Sequence, residues 1–289
     1  MNEYAQVLEN IDLKNKNTYH IGGKAKYYLT PYKDKIIPLL TLLEKENIPW
    51  YILGKGSNVI LPDCDFDGAI LSLDNYQSIY IQDDLCYVEA GCSLNSLVTK
   101  TLDAGYINLY FLKNIPGTLG AAIQGNVGSD NHEIFEYVKN VTIIDENKQI
   151  KTLTRADIVA SYRFTEFKQR KIIILKACLE LKLGDVLEAK KKITSNLDRR
   201  RKTQPLDTRN AGSVFANPPS DSAGRLIEEA GLKGRKEGGA EISTKHANFI
   251  INKENATSKD IKKLISIIKK EIKEKYDITL ELEQVIVDW

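Results

Sequence analysis

The stretch Asn114-Ile-Pro-Gly-Thr-Leu-Gly-Ala-Ala-Ile-Gln-Gly-Asn-Val-Gly128 constrains this chain more than any other. It joins four glycines, three amide side chains, two alanines and a proline, and carries no charged residue. A Gly-rich surface loop is the plainer reading, but such loops usually carry more charge. A run this small and apolar can lie flat against something large and planar. Gly117, Gly120, Gly125 and Gly128 remove side chains where a ligand must approach, and they open φ values closed to other residues. Binding sites for cofactors have this concave, mostly apolar character.

A second stretch, Trp50-Tyr-Ile-Leu-Gly-Lys-Gly-Ser-Asn-Val-Ile-Leu61, reads as a buried strand, a tight glycine turn and a second short strand. Gly54 and Gly56 expose backbone N–H groups, and Lys55, Ser57 and Asn58 add side-chain donors. Together they make a nest for an anion such as a diphosphate. No third glycine opens a following helix, so this is not a Rossmann fingerprint, and the Gly-Lys-Ser/Thr ending of a P-loop is missing. A plain β-hairpin is the simpler alternative.

The 41 Lys and Arg against 39 Asp and Glu leave a formal charge of +2, which does not call for nucleic acid. At 289 residues the chain can bury a sizeable core and form two or three domains. No apolar run approaches the ~18 residues that span a bilayer. The start, Met1-Asn-Glu-Tyr-Ala-Gln, lacks a basic-then-apolar pattern, so a cytoplasmic protein without membrane insertion is expected. Cys64, Cys86, Cys92 and Cys178 are scattered, with no C-x-x-C and no clustered histidine. Neither a metal site nor a disulfide framework is expected.

Along the chain the pattern divides into sections 1–74, 75–185 and 186–277, with a final strand-like piece, 278–289, returning toward the first. The spacing of Ile36, Leu39, Leu40 and Leu43 predicts a helix over 35–47. Residues 85–90 read as a strand, and Ser93 as the cap of a helix to Asp103 with Gly105 beyond it. Residues 138–145 and 172–183 are β-rich. A charged helix from Val186 to about Arg201 is expected to turn Leu187, Ile193 and Leu197 inward. Residues 222–230 predict a helix closed by Gly231. Thr257-Ser-Lys-Asp260 starts a long amphipathic helix with Ile261, Leu264, Ile265, Ile268 and Ile272 as its buried stripe.

Three polar sites stand out. Ser161-Tyr-Arg-Phe164 sets an arginine between two rings at the end of a helix-like stretch. Arg163 stays charged, so it suits holding negative charge; a surface ion pair is the bland alternative. In Arg209-Asn-Ala-Gly-Ser-Val-Phe-Ala-Asn-Pro218, Ser213 follows small residues that leave its hydroxyl room. Its offsets are not those of a nucleophile elbow. In Glu281-Leu-Glu283, alternation puts both carboxylates on one strand face. The run Arg199-Arg-Arg-Lys202 has no interleaved aromatics, so it reads as cations at a helix end, fit to line a polyanionic small molecule.

These residues, in this order, resemble the UDP-N-acetylenolpyruvoylglucosamine reductase family, over nearly the whole chain. The motifs are Asn17-Thr-Tyr-His-Ile-Gly-Gly23, Leu53-Gly-Lys-Gly-Ser-Asn58, Asn114-Ile-Pro-Gly-Thr-Leu-Gly-Ala-Ala122 and Tyr162-Arg-Phe164. They continue in Ala211-Gly-Ser-Val-Phe-Ala-Asn-Pro218, Ala223-Gly-Arg-Leu-Ile227, Gly239-Ala-Glu-Ile-Ser-Thr-Lys-His-Ala-Asn-Phe-Ile250 and Leu280-Glu-Leu-Glu283. The short length is similar to the family's second type.

The resemblance implies an α+β fold. A two-lobed FAD-binding domain of the vanillyl-alcohol-oxidase (PCMH) type would occupy the first two sections, with a C-terminal α+β substrate-binding domain in the third. It implies FAD and NADPH, a UDP-sugar as substrate, a step in peptidoglycan precursor synthesis, and a monomer. An FAD-dependent oxidase on the same cofactor fold is the alternative. Gly54, Lys55, Gly56, Ser57 and Asn58 would cradle the diphosphate. Asn114, Pro116, Gly117, Thr118, Gly120, Ala121, Ala122, Asn126 and Gly128 would line the flavin ring, with Gly91, Cys92 and Ser93 nearby. Arg163 and Glu283 would stabilise an enolate, Glu283 when protonated or bridged by water, and Ser213 would protonate it. Tyr162, Asn217, Arg200 and Lys202 are candidates for the UDP-sugar. Two departures matter: Gly128-Ser-Asp-Asn131 replaces the family's Gly-Ala-Tyr-Gly, so a substrate-facing tyrosine is missing, and Gln284-Val285 replaces Val-Arg.

Overall fold

The computed structural model describes residues 1–219 and 221–289. The chain forms two compact units, each drawn from several segments. One takes Met1–Leu8, Tyr28–Gly54 and Gly68–Leu197; the other takes Glu9–Tyr27, Lys55–Asp67 and Asp198–Trp289. This grouping by compactness cuts across the linear sections 1–74, 75–185 and 186–277.

The first unit carries a five-stranded sheet in the order Ile150–Thr154, Val138–Ile144, Ile173–Glu180, Leu85–Glu89, Ile79–Gln82. Every neighbouring pair is antiparallel. Asp145 closes the turn between two of these strands, its carboxylate accepting from Asn147 and Gln149 N–H groups while Lys148 takes φ +60°. A parallel pair, Trp50–Ile52 with Ala69 to Leu71, also belongs to this unit. Helix α1 (Ile36–Lys45) buries Ile36, Leu39, Leu40 and Leu43, the stripe its spacing requires. In α2 (Leu94–Asp103) the Ser93 hydroxyl accepts from Ser96 N–H, and Gly105 follows at φ +90°. That satisfies an otherwise orphaned donor at one end and lets the chain turn away at the other. The uncharged 114–128 run folds in part into α3 (Leu119–Gly125).

Two expectations fail here. Residues 160–165 form a β-hairpin, Ala160 opposite Thr165 and Ser161 opposite Phe164, rather than the end of a helix. Its two-residue turn is Tyr162-Arg163, with Arg163 at φ +57°. In α4 (Val186–Thr203), Leu187 is 63% exposed, Ile193 and Leu197 are only half-buried, and Ala189 is the buried residue. So charged a helix offers too little apolar surface to bury; pairs such as Glu188–Lys192 at 2.8 Å brace its wet face.

The second unit is built on α6 (Ser258–Tyr276), which packs on the antiparallel strands Lys236–Glu237 and Ala240–Ile242 and on α5 (Ala223–Glu229). A further strand, Ile250–Asn252, completes that sheet. Thr257 and Asp260 form a reciprocal capping box, and Ile261, Leu264, Ile265, Ile268 and Ile272 are buried as their period demands. They share one core with Tyr19, Ile21, Ile60, Val214, Phe215, Leu226 and Ile227. The final strand is short: Val285–Ile286 pairs in parallel with Val59–Ile60.

The contrast between the two helices is measurable. Ile268→Ala, at a fully buried site, is expected to cost about 2–5 kcal/mol in denaturant unfolding. Leu187→Ala is expected to stay within about 0.5 kcal/mol of the parent.

Candidate functional site

Helix α3 explains how a run of small residues becomes a surface. Leu119, Ala122 and Ile123 point into the core, while Gly120, Ala121, Gln124 and Gly125 lie on the opposite, accessible side with the exposed Pro116 preceding them. A concavity of the first unit is lined by Gly54, Gly91, Thr118, Gly120, Ala121 and Gln124 together with Leu53, Ser72, Leu73 and Ala90. Five residues expected at a cofactor therefore meet in one place. A Cβ at Gly54 would come within 2.9 Å of the Thr118 hydroxyl, so glycine is what keeps that wall close. Small residues on a concave wall fit the flat face of a flavin.

Other expected residues contribute through the fold rather than through a free side chain. The N–H groups of Leu119 and Gly120, at the start of α3, donate to the carbonyls of Cys92 and Ala90, so they are not left for a phosphate. Gly91 packs so tightly that a Cβ would sit 1.9 Å from Leu73 O. The Cys92 thiol is buried, donates to Ser78 O, and is pushed up to about 11 by that burial, which keeps it a neutral thiol. The Ser93 hydroxyl is the cap of α2. Ala122 is buried. Asn114, at φ +63°, is tied to α2 through its backbone, where its N–H donates to the Asn95 side chain at 2.8 Å.

Asn126 is spent within the protein. It is 2% exposed, at φ +45°, and its amide is consumed inside the protein. The Nδ2 group donates to Glu133 Oε2 at 2.7 Å and to Ser161 O at 2.8 Å, and Oδ1 accepts from Phe135 N–H. Close by, Gly128 could not carry a side chain, because a Cβ would lie 2.1 Å from His132 O. Its carbonyl accepts from Arg163 Nη2 at 2.8 Å. Arg163 also lies over the Tyr162 ring, 5.0 Å from its centroid, with Tyr162 half exposed. Lys168 Nζ donates to Arg163 O. The arginine thus rides on a short, strained turn held from several sides. At the departure 128–131, Asp130 and Asn131 both take positive φ in the turn of a tiny hairpin, and Tyr110 donates its hydroxyl to Asp130.

In the second unit, Gly56 sits at φ +62° with its carbonyl accepting from Thr18 N–H, and a Cβ would meet Lys16 O at 2.3 Å. Asn17 holds that neighbouring loop, donating to both Leu13 O and Ile21 O at 2.7 Å. The N–H groups of Gly56 and Asn58 donate to nothing among the described residues, which suits an anion. Lys55 is exposed and Ser57 half-buried beside them. No β-hairpin forms, since the second short strand pairs with the chain's end instead.

The segment just after Ser213 is tied to Glu283 through the backbone. Glu283 N–H donates to Val214 O at 2.9 Å, Ala216 N–H to Glu281 O at 3.0 Å, and Asn58 Nδ2 to Glu283 O at 3.0 Å. The Ser213 hydroxyl makes no hydrogen bond among the described residues, and the space beside Gly212 is open. Two residues that sequence reasoning did not assign fix this loop. Asn248 acts as a false strand, its side chain accepting from Phe215 N–H at 3.0 Å and donating to Phe215 O at 2.8 Å. Gln284, the departure from the family pattern, donates to Ala211 O and Gly212 O at 3.1 Å and accepts from the buried Tyr19 hydroxyl. Burial pushes the Tyr19 phenol up, so it remains a donor. Glu281 is exposed.

The UDP-sugar candidates are less uniform. Asn217 Oδ1 accepts from Ala223 N–H at the start of α5, at 3.1 Å. Arg200 is half-buried, donates to Gln204, and has its pKa lowered by burial and by Arg199. Lys202 is exposed on the last turn of α4.

Residues 31–154 match the FAD binding domain, and residues 204–287 match the C-terminal domain of UDP-N-acetylenolpyruvoylglucosamine reductase. That pairing, with the small-residue concavity, defines a flavin-dependent oxidoreductase whose cofactor is FAD. The reductase of Caldicellulosiruptor bescii is 40% identical over 98% of this chain and 91% of its own length. That of Caldanaerobacter subterraneus subsp. tengcongensis is 38% identical over 96% and 92%. The solved reductase of Thermus caldophilus superposes with a TM-score of 0.82 at 29% identity, covering 99% of this chain and 100% of that one. The chain belongs to the UDP-N-acetylenolpyruvoylglucosamine reductase family. Its α+β class, with an FAD-binding domain and a C-terminal substrate domain, is the one the sequence led us to expect. Among the described residues no helix is long and apolar enough to cross a membrane.

Asn248→Ala leaves both polar groups of the buried Phe215 backbone without their partner. It is expected to destabilise the protein by about 1–3 kcal/mol for each group left unsatisfied, measured by thermal or denaturant unfolding.

Proposed function

We propose that this protein reduces the enolpyruvyl ether of UDP-N-acetylglucosamine to UDP-N-acetylmuramate with NADPH, in peptidoglycan precursor synthesis. FAD, when bound, would supply the hydride chemistry that links NADPH to the vinyl carbon. Gly54, Thr118, Gly120 and Ala121 would hold its flat portion, and residues 55–58 its diphosphate. The remaining work falls to side chains. Arg163, fixed on its turn, would bear the negative charge that develops on the substrate's carboxylate and adjoining carbon. Glu283 would share that role in its protonated form or through water, since a bare carboxylate would repel the charge. Ser213 would give its proton to the carbanionic carbon, which is basic enough to take it from a hydroxyl. Tyr162, Asn217, Arg200 and Lys202 would contact the UDP-sugar. We assign FAD binding to sections 1–74 and 75–185, substrate binding to 186–277, and place the protein in the cytoplasm as a monomer.

One observation carries this reading. The Ser213 hydroxyl is left without a partner among the described residues, in a loop whose backbone is tied to Glu283, beside open space at Gly212. A serine placed for structure would normally be spent on the fold, as Ser93 is.

The two half-reactions test it separately. Ser213→Ala should bleach the flavin with NADPH nearly as fast as the parent, while reoxidation by the enolpyruvyl sugar slows about 10²–10⁴-fold, read by stopped-flow absorbance. Survival of both half-reactions would remove Ser213 as the donor. Arg163→Ala should slow the same second half-reaction about 10²–10³-fold; unchanged reoxidation counts against its role.

A further inference from the structure

Glu133 has no place in the chemistry above, yet its carboxylate lies in the middle of the Arg163 support. Gly128 and Glu133 face each other across one rung of the small hairpin 128–133. From that rung, the Gly128 carbonyl takes a hydrogen bond from Arg163 Nη2 at 2.8 Å, and Glu133 Oε1 stands 3.8 Å from Arg163 Nη1. Both ends of the guanidinium are therefore addressed from a single register position. The other carboxylate oxygen, Oε2, is held by Asn126 Nδ2, whose second hydrogen goes to Ser161 O on the hairpin that carries Arg163. A closed ring results: Glu133 to Asn126, Asn126 to Ser161, and through Arg163 back to Glu133 and Gly128.

Glu133 Oε1 is buried and accepts no hydrogen bond. A charged oxygen in that condition is costly unless an opposite charge stands close, and Arg163 supplies it. At 3.8 Å the attraction acts without a hydrogen bond, so it orients the guanidinium rather than capturing a donor. The turn also needs such a hold, since Arg163 sits at φ +57°, a conformation that non-glycine residues adopt rarely and at a cost.

We infer that Glu133 is a positioning residue for Arg163: its charge, locked in place by Asn126, orients the guanidinium that acts on the enolpyruvyl substrate. The inference rests on the reaction proposed above. Glu133 touches neither cofactor nor substrate in this scheme; Glu136 accepts from Glu133 N–H at 2.7 Å, and Lys168 Nζ donates to the Arg163 carbonyl.

Glu133→Gln is the discriminating variant, because the amide oxygen still accepts from Asn126 while the charge facing Arg163 is gone. Flavin reduction by NADPH should stay within about twofold of the parent, and reoxidation by the enolpyruvyl sugar should slow about 10–100-fold, the range found for outer partners of ligand-holding side chains. In an Arg163→Ala background, adding Glu133→Gln should slow reoxidation no further, since residues acting as one unit do not add. Parent-like reoxidation in Glu133→Gln overturns the inference, as do effects of the two substitutions that multiply. Glu133→Ala is a second measure; if it fails to fold, Glu133→Gln carries the test alone. A parent protein whose reduced flavin is not reoxidised by the enolpyruvyl sugar sinks the proposed reaction itself, a result distinct from either outcome above.

Discussion

The constraint that the rest of this structure depends on is the need to satisfy backbone polar groups where the chain is neither helix nor strand. Buried amide side chains meet that need. Asn126 ends α3 in the left-handed conformation and sends its amide inward, where three hydrogen bonds join it to two separate segments, 133–135 and Ser161. An amide buried without such partners would cost a few kcal/mol; with them it welds the segments together. The accessible face of α3 and the hairpin bearing Arg163 are thereby fixed to one another within the first unit, a result that no apolar contact would specify as sharply.

The same device recurs in the second unit. Asn17 bridges Leu13 and Ile21, Asn248 mimics a strand beside Phe215, and Asn252 links Tyr19 O to Ala256 N–H. Gln284 holds the Ala211-Gly212 backbone ahead of Ser213. Each is buried and each serves a loop, while the helices and sheets around them rest on ordinary packing. Loops that carry reactive side chains need rigidity without regular structure, and amides provide donors and acceptors in one planar group.

This division accounts for what could be read from the sequence. Elements whose burial follows a period were legible: α1, α2 with its Ser93 cap, and α6 with its capping box. The reading failed at α4, because a helix that is charged nearly all round keeps a helical period while burying almost nothing. It also failed at residues 160–165, where Ser-Tyr-Arg-Phe has no glycine or asparagine to announce a turn. Arg163 itself takes the left-handed position, held there by partners distant in sequence. The chemistry of Ser213 and Arg163 was suggested by resemblance, but their supports were not. Glu133 and Asn248 look like any polar residues until the fold brings their partners alongside.

The glycines sharpen the point, since they were the first signal and do not all mean the same thing. At Gly56, Gly91 and Gly128 a Cβ would strike backbone at 1.9 to 2.3 Å, so the polypeptide alone demands glycine there. Gly125 is different. It lies in the last turn of α3 without positive φ, and a Cβ would meet nothing within 4 Å. Alanine at such a helical position would be more stable by about 1 kcal/mol. Nothing in the packing around Gly125 requires glycine there. A glycine that the protein's own packing explains says little about binding; one that the packing leaves unexplained says more.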